Sequence, residues 1–131
     1  MSIGLVTDST ACLPPYRLGQ LGVTVVPVQV VLGDQVYDEG VGINSQGVAA
    51  ALQAGVEVTT SRPSPERFAA AFADLAASGI SEVVAVHLSS ELSGTYSAAV
   101  LAAREASLPV RVIDSRTVGL GLGFAVLAAS N

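Results

Sequence analysis

Residues 87–98, HLSSELSGTYSA, decide how the rest of the chain is interpreted. They follow a compact apolar run at 83–86, which is typical of a buried strand, and they lead into an alanine-rich stretch that predicts a helix over 93–106. A turn rich in serine and glycine before a helix offers hydroxyls and free backbone N–H groups to an anion, and ligands of open α/β sheets bind at the carboxyl ends of strands. Since Ser93 as a simple helix cap is the commoner use of such a residue, this turn alone does not establish a site.

Alternating strand and helix patterns continue on both sides of this segment. Strands are predicted at 3–6, 23–32, 83–88 and 110–113, and helices at 14–20, 45–53, 65–79, 93–106 and 117–129. Pro27 interrupts the most β-branched run and favours an edge or bulged strand there. This alternation predicts an α/β fold with a mainly parallel sheet that is covered by helices on both faces.

Composition narrows the class of protein. The 131 residues suffice for one domain with a real core, and because half of them are hydrophobic and 13% charged, we expect an apolar face that is normally covered. The net charge of −5 argues against a nucleic-acid partner. Cys12 is the only cysteine, which excludes an internal disulfide and favours the cytoplasm, and no signal-peptide pattern is visible. The most apolar stretch, 119–129, is too short to span a bilayer.

Residues for acid, base or metal chemistry are scarce. His87 is the only histidine, and it has no neighbouring cysteine or second histidine with which to complete a metal site. Ser89, His87 and Asp114 supply the residue types of a hydrolase triad, but the chain has no G-x-S-x-G elbow. The glycines at 119, 121 and 123 do not have the spacing of a dinucleotide fingerprint and are more simply explained by close helix packing.

Three hydroxyl-rich loops, at 7–10, 60–64 and 89–95, are the most informative feature of the chain. Each is predicted to follow a strand, the loop at 60–64 after the stretch at 56–60, so we expect them to converge at one edge of the sheet. They offer neutral hydrogen-bond donors, which suit holding a carboxylate or phosphate better than breaking bonds. Together with the apolar composition, they predict an amphiphilic ligand with a polar head at the loops.

A set of short motifs carries a family resemblance. The motifs are Val6-Thr-Asp-Ser-Thr10, Val26-Pro-Val28, Tyr37-Asp38, Thr60-Ser61-x-Pro63-Ser64, Leu88-Ser-Ser90, Leu92-Ser-Gly-Thr-Tyr96 and Asp114-Ser115 before the glycine-bearing helix. In this order, and over nearly the whole chain, they make it resemble the N-terminal domain of the DegV family of bacterial fatty-acid-binding proteins.

The resemblance implies a function and a set of site residues. Members of the family look like two-domain α/β proteins that bury a long-chain fatty acid between the domains, and some present the carboxylate to a fatty acid kinase whose product feeds phospholipid synthesis. The resemblance assigns the carboxylate to Thr60 and Ser93. Neighbouring donors are expected from Ser61, Gly94 and Thr95, and less central rim positions from Asp8, Ser9, Arg62 and Ser89.

The chain also departs from the family pattern. Arg62 stands where members often carry glutamine, which either adds a charge near the pocket mouth or points to solvent. Residues 39–44 are glycine-rich where acidic residues are usual. The chain ends where the second domain is expected, so residues 1–131 correspond to an N-terminal domain without its C-terminal partner, and the uncovered face predicts a homodimer of this chain.

The resulting hypothesis is a lipid-binding domain with no catalytic residues and no cofactor of its own. An alternative from another class is a small hydrolase or phosphotransferase that uses Ser89 or Ser93 with His87. A third is a module that binds only other proteins.

Overall fold

The computed structural model describes residues 2–131, which form two sheets and five α-helices. The strands are β1 (Ile3–Asp8), β2 (Val23–Val26), β3 (Gln29–Leu32), β4 (Gln35–Asp38), β5 (Val58–Ser61), β6 (Glu82–His87) and β7 (Val110–Asp114). The helices are α1 (Pro15–Leu21), α2 (Ser45–Gln53), α3 (Pro65–Ala77), α4 (Thr95–Arg104) and α5 (Leu120–Ala129), and a 3-10 turn covers Ser9–Ala11. Each predicted helix is present, with α4 and α5 shorter than the apolar pattern indicated.

The larger sheet is parallel throughout, with strand order β2-β1-β6-β7. One face packs on Phe68 and Phe72 of α3 and on the alanines of α4, and the other packs on Leu122 and Val126 of α5. Apolar residues on both sides of β1 and β6 are therefore buried, as the near-continuous hydrophobic strands predict. The predicted α/β fold with helices on both faces is confirmed.

The prediction of one strand over 23–32 is wrong. The chain leaves the parallel sheet after Val26 and enters a separate antiparallel sheet with strand order β4-β3-β5. Pro27 has no N–H group with which to continue the ladder, and the N–H of Val28 donates to Ser9 Oγ at 3.0 Å instead of to a neighbouring strand. This break brings the end of β5 to the loops that follow β1 and β6.

Local signals explain where two of the helices begin. Ser64 Oγ accepts from the N–H of Arg67 at 3.3 Å and Pro65 takes the first position of α3, as the sequence predicted. Gly119 precedes α5 with a φ of 67°, which favours glycine. A Cβ at Gly123 would lie 2.6 Å from the carbonyl oxygen of Ala11, so the close-packing interpretation of the glycines is confirmed at that position.

No helix among residues 2–131 has both the length and the apolar character needed to cross a bilayer.

Candidate functional site

The three hydroxyl-rich loops meet in a cleft of about 460 Å³ between the two sheets. Its lining residues are Thr10, Val28, Glu39, Thr60, Ser61, Arg62, Leu88, Leu92, Ser93 and Gly94. Two of the loops follow β1 and β6 of the parallel sheet. The third begins at Thr60 and Ser61, the last residues of β5 in the antiparallel sheet. The loops therefore converge as predicted, but between two sheets instead of at one edge of a single sheet.

Ser93 has a hydroxyl that is free to donate into the cleft. Thr95 is completely buried, and its Oγ1 lies 2.9 Å from Ser93 Oγ, its sole hydrogen-bond partner among residues 2–131. The distance alone allows either hydroxyl to donate. Because a buried hydroxyl without an acceptor is costly, we infer that the Thr95 O–H donates to Ser93 Oγ. Ser93 Oγ also accepts from the Thr95 N–H at 3.2 Å, so Ser93 is left with its own proton for a ligand.

Thr60 and Ser61 add two more hydroxyls on the opposite wall. Thr60 makes no side-chain hydrogen bond within the described chain, so its hydroxyl can donate to a ligand. Ser61 Oγ makes only a long contact of 3.4 Å to the carbonyl of Arg62. Thr60 and Ser93 thus face one cleft with available donors, which is the chemistry that a carboxylate requires.

The hydroxyls of Ser9 and Thr10 are already used within the protein. Ser9 Oγ donates to Glu39 Oε2 at 2.6 Å and accepts from the Val28 N–H. Thr10 Oγ1 donates to Asp8 Oδ1, so in the cleft it can only accept. Ser9 consequently ties the β1 loop to the second sheet and is not among the residues that line the cleft.

Asp8 lies beneath the cleft instead of at its rim, because its side chain is completely buried beside His87. Its Oδ2 accepts from His87 Nδ1 at 2.9 Å and from the Leu88 N–H at 3.1 Å. Burial by itself raises the pKa of Asp8, but the hydrogen bonds from His87, Thr10 and Leu88 outweigh it and hold that pKa below its ordinary value. The carboxylate therefore fixes two residues of the cleft lining, Thr10 and Leu88.

Within residues 2–131, Ser89, His87 and Asp114 do not form a hydrolase triad. His87 Nδ1 pairs with Asp8 instead of Asp114, and the buried His87 Nε2, which would have to reach a serine, has no hydrogen-bond partner in the described chain. The buried Ser89 Oγ accepts from the Glu91 N–H at 3.2 Å. Asp114 accepts from Ser90 Oγ at 2.6 Å, and this bond together with the Arg116 N–H lowers the pKa of Asp114. Ser89, placed at the rim by the sequence, also lies outside the cleft lining.

The sequence reasoning missed several cleft residues. Glu39 carries no site prediction from the sequence, although its position directly after β4 resembles that of the other polar strand ends. Val28, Leu88 and Leu92 give the cleft its apolar character. The sequence held a signal for Leu92, since it is a lone leucine inside a polar loop, and the structure shows that it is 63% exposed. Among residues 2–131 no group of three His, Cys, Asp or Glu side chains is placed to hold a metal ion.

Comparison with known proteins identifies the family. The profile described as "Uncharacterised protein, DegV family" matches residues 2–131. The chain belongs to the DegV family. A DegV domain-containing protein of Streptomyces coelicolor is 51% identical to this chain over 128 residues. These residues cover 98% of this chain and 46% of that protein. A DegV domain-containing 15.5 kDa protein of Staphylococcus aureus is 34% identical over 122 residues, which cover 93% of this chain and 86% of that protein.

Solved DegV structures share the fold. A DegV family protein of Thermus thermophilus, described as fatty acid binding, superposes with a TM-score of 0.92 at 40% identity, covering 99% of this chain and 46% of that one. DegV of Bacillus subtilis, described as a fatty acid binding protein, gives 0.91 at 32% identity with the same coverage. This chain spans about half the length of these two proteins and of the Streptomyces relative.

Proposed function

We propose that the chain binds a long-chain fatty acid and holds the carboxylate with Thr60 and Ser93. One observation carries the proposal: the cleft places free hydroxyl donors next to apolar side chains. The head group accepts from Thr60 and Ser93, and the acyl chain begins over Val28, Leu88 and Leu92. Ser61 and the backbone of Gly94 are neighbouring donors, whereas Thr95 acts through Ser93 because it is buried.

Two further features support fatty-acid binding over catalysis. The DegV proteins of Thermus thermophilus and Bacillus subtilis are described as binding fatty acids. The polar groups of the cleft are mainly neutral hydroxyls, and His87 is buried in its pair with Asp8 beneath them. We therefore propose a carrier and not an enzyme.

The finer parts of the proposal rest on the family resemblance. The carrier presents the carboxylate to a fatty acid kinase in the cytoplasm, and the acyl phosphate product enters phospholipid synthesis. A second domain, corresponding to the other half of the longer relatives, supplies the opposite wall of the acyl tunnel. Residues 1–131 then form the N-terminal domain that holds one side of the head group.

The test compares Thr60→Ala/Ser93→Ala with the unaltered chain. Hydrogen bonds to a charged head group are worth about 1.5–3 kcal/mol each, so we expect the loss of both to lower myristate affinity by at least about a hundredfold in isothermal titration calorimetry. Thr59→Ala/Ser97→Ala is the matched control, because both residues are exposed and lie outside the cleft lining. Equal myristate affinity in the two double variants would remove the carboxylate assignment.

A further inference from the structure

Among residues 2–131, Arg62 is the only basic residue that lines the cleft. It follows Thr60 and Ser61 directly at the end of β5, so the same backbone segment positions all three side chains. The nearby Arg67 differs, because its guanidinium donates to both carboxylate oxygens of Asp38 at 2.8 and 3.0 Å. Arg62 makes no such ion pair within residues 2–131.

The Arg62 side chain lies against Gly94 on the opposite wall. A Cβ at Gly94 would be 2.6 Å from Arg62 Nη1 and 2.7 Å from its Cδ. Gly94 has a φ of −77°, which any residue adopts, so its backbone conformation does not require glycine. The space that a side chain at Gly94 would fill is therefore occupied by the Arg62 side chain, whose guanidinium lies against Gly94 in the cleft.

The charges around the cleft leave the guanidinium available. In the part of the chain that the structure describes, Glu39 is the one acidic residue of the lining, and its Oε2 accepts the short hydrogen bond from Ser9. It forms no salt bridge to Arg62 in the described chain. A guanidinium without an ion-pair partner among residues 2–131, in a cleft that Thr60 and Ser93 also line, is complementary to a planar anion, because its parallel N–H groups match the two oxygens of a carboxylate.

We propose that Arg62 binds the anionic head group and makes the cleft selective for a fatty acid over a neutral amphiphile of the same chain length. This inference rests on the proposed fatty-acid binding and adds the residue that sets its head-group specificity. Thr60 and Ser93 can donate to a carboxylate or to an alcohol, since each needs only an acceptor. Arg62 adds the larger discrimination, because its full charge attracts a carboxylate and has no opposite charge to meet on an alcohol, whereas the two hydroxyls donate to both ligands.

The experiment measures the affinities for myristate and for 1-tetradecanol side by side. For Arg62→Gln we expect myristate affinity to fall by about fivefold, the size appropriate to a partly exposed ion pair, and 1-tetradecanol affinity to stay constant. Arg62→Lys should retain part of the preference for myristate, because it keeps the charge and loses the fork geometry.

Gly94→Ala tests the packing step independently. The new methyl group should displace Arg62 and reduce the myristate preference in the unaltered background. In an Arg62→Gln background the same substitution should reduce that preference no further. This non-additivity distinguishes a displaced guanidinium from a general distortion of the α4 start.

The outcomes separate this inference from the proposed function. An unchanged ratio of myristate to 1-tetradecanol affinity in Arg62→Gln, with myristate binding still weakened by Thr60→Ala/Ser93→Ala, would overturn the role of Arg62 alone. Equal losses for both ligands in Arg62→Gln would also overturn it. Absence of myristate binding by the unaltered chain would overturn the proposed function, and the inference with it.

Discussion

At the scale of single residues, hydrogen-bond direction decides what the cleft offers. The sequence pattern predicted the hydroxyl-rich loops, and the resemblance to the DegV family singled out Thr60 and Ser93 within them. Neither could show that the Thr10 hydroxyl donates to Asp8, or that the Thr95 hydroxyl is paired with Ser93. Burial and the positions of the partner atoms determine which way each hydroxyl donates. The Asp8–His87 pair was equally invisible, since 79 residues separate the two side chains along the chain.

Replacing Thr95 tests the direction of the bond to Ser93. In Thr95→Val the buried hydroxyl is lost and the shape is kept, so Ser93 loses the donor that turns its proton toward the cleft. We expect weaker myristate binding, by about threefold to tenfold for one modest hydrogen bond, measured by calorimetry. Thr95→Ser keeps the hydroxyl and should restore the affinity. If Thr95→Val bound myristate as tightly as Thr95→Ser, the assigned direction would be wrong.

Asp8 predicts how stability depends on pH. Its pKa is lower in the folded chain than its ordinary value of 3.8, so the unfolded chain binds more protons in this region. The stabilisation is fully present above pH 3.8 and is lost as the pH falls through the lower folded pKa. The free energy of unfolding, measured with urea between about pH 2.5 and 6, should therefore fall more steeply with decreasing pH in the unaltered chain than in Asp8→Asn. The same pH dependence in both proteins would contradict this prediction.

At the scale of elements, local signals predicted the helices and most of the larger sheet. We could predict the start of α3 at Ser64-Pro65 and the buried strands β1 and β6, because helix capping and hydrophobic pattern depend on residues a few positions apart. The division of 23–32 into β2 and β3 was not predicted. Pro27 indicated an interruption, but a choice between a bulge and a second sheet depends on distant partners such as Ser9 and β5.

Gly123 connects α5 to the turn that carries Ser9 and Thr10. A methyl group there would lie 2.6 Å from the carbonyl oxygen of Ala11, and backbone cannot move aside as a flexible side chain does. Gly123→Ala should therefore lower the free energy of unfolding by about 1–3 kcal/mol in urea titrations. Gly19→Ala in α1 is the control, because no atom lies within 4 Å of its added Cβ and alanine favours a helix. Equal stability of the two variants would argue against this contact.

At the scale of the whole molecule, much apolar surface remains exposed on α5 and the segment before it. Leu120 is 56% exposed and Phe124 67%, and α5 has no charged residue. Such a surface is typical of one that another polypeptide covers. The predicted homodimer and the predicted second domain would both cover it, and each stays a prediction. The sequence indicated a covered face from composition, whereas its location required the fold.

The measurement that tests fatty-acid binding most directly is mass spectrometry of the lipid extracted from the chain after purification from bacterial cells. We expect a fatty acid in near-stoichiometric amount in the unaltered chain and in Thr59→Ala/Ser97→Ala. We expect Thr60→Ala/Ser93→Ala to retain much less of it. A folded, unaltered chain that carries no fatty acid and takes none up when myristate is added would contradict fatty-acid binding.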